Sequence, residues 1–133
     1  MDKNLVNTAL NHAMAKPFVW GQDDCCSFVC DLVLAQTGKD FMAPLRGTYD
    51  SEQGTLLVMK TYGGGLVETA IALAKLANLK PANWPWAGDL IGVVAASNGP
   101  MLAVFFEGAW LVRTISGSAR VRPSQGVIAW EIN

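Results

Sequence analysis

The apolar positions fall into two regimes along the chain. Over the first 80 or so residues they recur at helical spacing, and over the last 45 they form short runs broken by turn residues. Asp2 is placed to cap a helix running to about Ala15, with Leu5, Val6, Ala9, Leu10 and Ala13 on one face. Lys16-Pro17 ends it, because the residue before a proline is pushed out of the α region. Phe18-Val19-Trp20 is a short extended piece, and a second helix starts at or near Cys25. Its core face is Cys25, Phe28, Val29, Leu32 and Val33, with Gly38 as the stop. Lys39–Asp50 is expected to be a loop. Ser51 caps a third helix that ends at Gly63-Gly64-Gly65, and Leu66–Leu79 makes a fourth with Leu66, Val67, Ala70, Ile71, Ala74 and Ala77 on one side. Pro81–Gly88, which carries Trp84 and Trp86, is expected to link the halves.

Beyond it, Leu90–Ala95, Met101–Phe106, Ala109–Ile115, Ala119–Arg122 and Val127–Ile132 are strand candidates rich in Val, Ile and aromatics. Ser97-Asn98-Gly99-Pro100, Glu107-Gly108, Ser116-Gly117-Ser118 and Pro123–Gly126 separate them with turn chemistry. Helices followed by an antiparallel sheet predict an α+β domain, and 133 residues suit one such unit, helical over about 1–80 and sheet over about 88–133.

Composition narrows the function classes. Apolar residues are 51% of the chain and charged residues 16%, so the chain can bury a core, and the surplus, with five Trp, fits either a well-packed core or a surface that meets another protein. No apolar run approaches the roughly 18 residues of a membrane span, and no signal peptide is expected at the start. The net charge of −1, with both signs scattered, gives no basic stripe for nucleic acid. Three cysteines between Cys25 and Cys30 cannot staple distant parts of a fold. With His12 as the one histidine they also offer poor zinc chemistry, so no metal or other cofactor is expected. Gly63-Gly64-Gly65 lacks the following Lys-Ser/Thr of a phosphate loop and is expected to be a connector.

Chemistry concentrates at the second helix. A cysteine in a first helical turn meets free backbone N–H groups and the positive end of the dipole, which favour a thiolate and can stabilise an oxyanion. Cys25 is therefore a candidate nucleophile, and a small apolar residue at a helix start is the competing interpretation. Cys26 and Cys30, four apart, fit a labile pair, half a metal site or buried thiols. Asp23-Asp24 reads as capping. His12, on a polar face, reads as solvated.

Phe18-Val19-Trp20-Gly21, Asp24-Cys25-Cys26-Ser27-Phe28-Val29 and Gly88-Asp89-Leu90-Ile91 together resemble the NlpC-like (papain-like) cell-wall cysteine peptidases, over about residues 18–115. The resemblance implies a papain-like fold with Cys25 at the nucleophile position and places the family's catalytic histidine on Met101, or on Pro100 one residue earlier. It places a third, orienting polar residue near Arg113-Thr114. Neither Met101 nor Pro100 can accept the thiol proton and return it to a leaving amine, as the mechanism requires. Cys26-Ser27 also replaces the family's Ser-Gly. The variant motif and missing histidine resemble a degenerate branch found among bacteriophage tail proteins. That resemblance implies a virion component of the distal tail, made in the host cytoplasm and assembled with other hub and tip proteins in a larger oligomeric structure. The alternative it implies is an active peptidase acting on host peptidoglycan through Cys25, with a base from His12 or a partner chain. A thiol enzyme of small cytosolic molecules is a third reading without a substrate signal.

Overall fold

A computed structural model describes residues 2–20, 24–97 and 99–132. The described chain is α+β: four helices, then a six-stranded antiparallel sheet. The helices are α1 (Lys3–Met14), α2 (Cys25–Thr37), α3 (Glu52–Thr61) and α4 (Leu66–Leu76). The strands are β1 (Lys80–Ala82), β2 (Leu90–Ala96), β3 (Gly99–Phe106), β4 (Ala109–Thr114), β5 (Gly117–Val121) and β6 (Gly126–Glu131), in the spatial order β1-β6-β2-β3-β4-β5.

Local chemistry explains most boundaries. The side chains of Asp2, Asp24 and Ser51 each accept a backbone N–H in the first turn of α1, α2 and α3. Gly38 ends α2 in the left-handed region at φ 76°, where its N–H donates to the Leu34 carbonyl. α2 is apolar around most of its circumference, and seven of its residues are buried, including Cys26, Ser27 and Cys30 beside the expected Phe28, Val29, Leu32 and Val33. Two expectations fail here. α4 buries Leu66, Thr69, Ala70, Leu73 and Ala74 but leaves Ile71 exposed, so its stripe is rotated from the one read in sequence. Pro81–Gly88 is not merely a linker, because β1 pairs with β6 and extends the sheet at one edge.

The sheet is covered on both faces. Ile91, Val93, Leu102, Val104, Leu111, Trp130 and Ile132 meet the helices in the main core. The alternate residues Leu90, Val94, Ala103, Trp110, Val112 and Ala129 form a second core on the opposite face, against Trp86, Met101 and Phe105. Side chains alternate across a strand, so these two sets are the two faces of one sheet. Trp110, fully buried, anchors the second face. Gly92, between Ala103 and Ala129 in register, leaves the space it needs: a Cβ on Gly92 would come 2.9 Å from the Trp110 ring. The Trp86 ring lies edge-on to Trp110 at 5.8 Å. Of the five tryptophans in the chain, Trp84 alone is strongly exposed. The apolar surplus is thus spent mainly on two sheet faces, whereas α3, with no buried residue, and the outer side of α4 expose Leu56, Leu57, Ile71 and Leu76.

Candidate functional site

α2 begins on the face of the sheet that the helices cover, and its first turn is built around Asp24. This carboxylate is buried and accepts the Ser27 N–H at 2.7 Å, the Ser27 hydroxyl at 2.8 Å and the Tyr49 hydroxyl at 2.8 Å. Asp24 is thus a cap, as expected; its neighbour Asp23 and Gly21 of the sequence motif lie outside the described residues. Ser27 turns inward to serve the cap. Burial, first, and the nearby acidic groups hold the Tyr49 hydroxyl well above its ordinary range, so it donates to Asp24 as a neutral phenol.

Cys25 is half-buried in that first turn. Its sulfur lies 3.9 Å from that of Cys26, and the Leu102 backbone amide of β3 stands close enough to act on it electrostatically. The Cys26 thiol is the main influence that pulls the Cys25 thiol below its ordinary value; burial and the Asp24 charge oppose it, and the Leu102 amide adds to it. Cys26 moves the other way. Its contact with the Cys25 sulfur, then burial and the neighbouring acidic groups, hold it protonated well above the usual range. Burial does the same to Cys30. Cys26 and Cys30 line an apolar cavity of about 20 Å³ with Met42, Leu73 and Leu102, room for about one water but without spare polar partners to hold it. The arrangement therefore separates one thiolate-prone sulfur from two inert ones.

The residues opposite Cys25 differ from those read in sequence. Met101 packs with Val94 and Trp110 on the other face of the sheet, so its side chain cannot occupy a base position beside the thiol. Strand alternation gives the helix-facing positions to Pro100 and Leu102 instead. Leu102 is buried in the main core and presents to Cys25 a backbone N–H, a donor only.

His12 is exposed on α1 and borders a groove of about 250 Å³ with Asp24, Phe28, Asp31 and Ala35 of the α2 segment. Those positions form one stripe of α2. Cys25 belongs to the next, about 100° around the helix axis. The structure thus brings His12 and Cys25 to the same helix but to different sides of it. Arg113, near the expected third polar position, is buried and spent elsewhere. Its guanidinium donates to the carbonyls of Ala13 at 3.5 Å, Lys16 at 3.3 Å, Gly117 at 3.2 Å and Thr114, and lies 5.4 Å from the Phe18 ring centre. It fastens the end of α1 to β4. Its Nε has no partner among the described residues.

Asp89 and Gln36 form a second structural tie, where Gln36 Nε2 donates to the Ile132 carbonyl at 2.8 Å and to Asp89 at 3.4 Å. Among the described residues no three His, Cys, Asp or Glu side chains gather as a metal centre would need. No single described helix is long and apolar enough to cross a membrane.

A family model described as a domain of unknown function, DUF6950, matches residues 2–132. The chain belongs to that family. No curated protein matches this DUF6950 domain, and no solved structure matches it either. Sequence reasoning missed two participants in the DUF6950 site. Tyr49 sits in a Pro/Gly-bearing loop with no periodicity to mark it. The Leu102 amide is backbone, and only the pairing of β3 beside α2 brings it there.

Proposed function

We propose that this DUF6950 domain is a non-catalytic structural component of a bacteriophage tail tip, built on a degenerate papain-like fold. The observation that carries the reading is the surroundings of Cys25: across from the thiol stand the Leu102 amide and Cys26, and His12, on α1, faces a different stripe of α2. Amide cleavage by a thiolate needs a proton for the departing amine, and neither neighbour is a base that recovers and returns one. The exposed leucines of α3 and α4 support a role in assembly, because apolar side chains of that size left in water are suited to a protein neighbour. The test has two parts. Purified peptidoglycan treated with the wild-type domain should release no muropeptides beyond those seen with Cys25→Ala, both proteins being folded. Mass spectrometry of purified phage particles from the host that encodes the domain should find the chain; its absence from particles would overturn the tail reading.

The lowered Cys25 thiol favours a second reading, a live cysteine peptidase whose base comes from a partner chain. Muropeptide release that is lost in Cys25→Ala would establish it in place of the first.

A further inference from the structure

On the face of the sheet away from Cys25, the segment after β1 and the start of β6 enclose an open groove of about 540 Å³, a size usual for small-ligand sites. Trp84 forms one wall and is 60% exposed. An indole that size left in water is costly, yet the ring has not collapsed onto the core. It stands edge-on to Trp86 at 5.9 Å and 88°. Trp86 in turn packs on Trp110 and donates its Nε1–H to the Pro123 carbonyl at 3.0 Å. Gly126 completes the base. A Cβ there would come 2.6 Å from Trp86 Nε1 and 2.8 Å from Trp110 Nε1, so the bare backbone lets both indoles seat. The platform is therefore held in place before any ligand arrives.

The polar lining narrows the ligand. Among the described residues no ionisable side chain borders the groove; its polar groups are the Asn83 amide, the Ser124 hydroxyl and the Trp84 indole N–H, none of which has a hydrogen-bond partner among the described residues. A neutral amide and a neutral hydroxyl offer donors and acceptors without selecting a charge. A proline-rich peptide would need an indole N–H for its carbonyls. Those of Trp86 and Trp110 are both given to Pro123, the second at 3.4 Å, which leaves such a peptide the Trp84 N–H alone. What remains is an aromatic face beside uncharged hydrogen-bonding groups. A pyranose ring matches it, with an apolar C–H face to lie on the indole and hydroxyls to meet Asn83 and Ser124. We infer that the Trp84 groove is a binding site for a neutral saccharide, separate from Cys25 and on the opposite face of the sheet.

The test is titration of the intact domain with maltohexaose, cellohexaose and chitohexaose, followed by indole N–H signals in NMR and by calorimetry. At least one sugar should shift the Trp84 indole resonance and saturate. Trp84→Ala should weaken binding about tenfold or more, and Asn83→Ala by less. Cys25→Ser should bind as wild type does. Trp84 is exposed, so Trp84→Ala should melt as wild type does; if it does not, Asn83→Ala alone carries the test and must weaken binding. The inference is overturned by no saturable shift from any of the three sugars up to about 10 mM. Sugar binding that survives both substitutions, or a Trp84 shift produced by a proline-rich decapeptide and by none of the sugars, would overturn it equally.

Discussion

The two faces of the sheet are closed by different means. On one, four helices supply aliphatic side chains, and the helix nearest the sheet begins with a thiol. On the other, no α-helix among the described residues covers the strands, and Trp110, Trp86 and Phe105 fill the second core from within the sheet and from one loop. Under the helices the core is mainly aliphatic, and α4 leaves Ile71 outside it. A face closed by interlocked indoles depends instead on where side chains are missing, at Gly92 and Gly126. The difference teaches where substitutions should be felt most.

The comparison is challenged most severely by Trp110→Ala. If the indole face is a true second core, this change should cost about 3–5 kcal/mol, as deletion of a large buried aromatic does, read from the urea midpoint at an unchanged slope. A loss below about 1 kcal/mol would mean that the helix face alone holds the fold.

Asp24→Ala tests the other face. It removes a helix cap and leaves the Tyr49 and Ser27 hydroxyls without their acceptor, so about 2–3 kcal/mol should be lost in the same measurement. Gly126→Ala adds one carbon where two indole nitrogens already stand, and about 1–2 kcal/mol of strain should follow, together with a shifted near-ultraviolet tryptophan spectrum.

The chemistry of the helix face is checked by alkylation. The thiolate is the reacting form, so a thiol with a lowered pKa reacts in a pH range where ordinary thiols do not. Iodoacetamide should therefore label Cys25 with a midpoint below the usual thiol value of about 8.5, while Cys26 and Cys30 stay unlabelled in the folded protein. Equal labelling of all three would dissolve the distinction. The smallest effect is reserved for Trp84→Ala, which should change stability by less than about 0.5 kcal/mol while altering whatever the groove binds.

Much of the fold was legible. The three predicted caps, at Asp2, Asp24 and Ser51, are local bonds between a side chain and its own first turn, so spacing alone reveals them. The strands were visible for a related reason, since their turns are marked by residue types. The closure of the sheet was less legible. Leu90–Val94 and Leu102–Val104 are buried runs without polar alternation, the mark of strands covered on both sides, but nothing nearby says that tryptophans do the covering. At the candidate site, Cys25 and its cap followed from sequence. Of the two positions expected to face it, Met101 lies on the other side of the sheet, and Pro100, one residue earlier, falls on the helix side. A one-residue difference in register reverses which face a side chain takes, and only the pairing of β3 with β2 fixes that parity.

Arg113 has a consequence for the order of events when the chain is made. Its guanidinium holds the end of α1 through the Ala13 and Lys16 carbonyls, across 100 and 97 residues of sequence. A ribosome releases the end of α1 100 residues before the arginine that fastens it. Until β4 has left the exit tunnel, the first helix lacks the guanidinium that ties its terminus to the sheet and has little reason to persist alone at twelve residues. The N-terminal end of this domain is therefore expected to be among the last parts to become protected during synthesis.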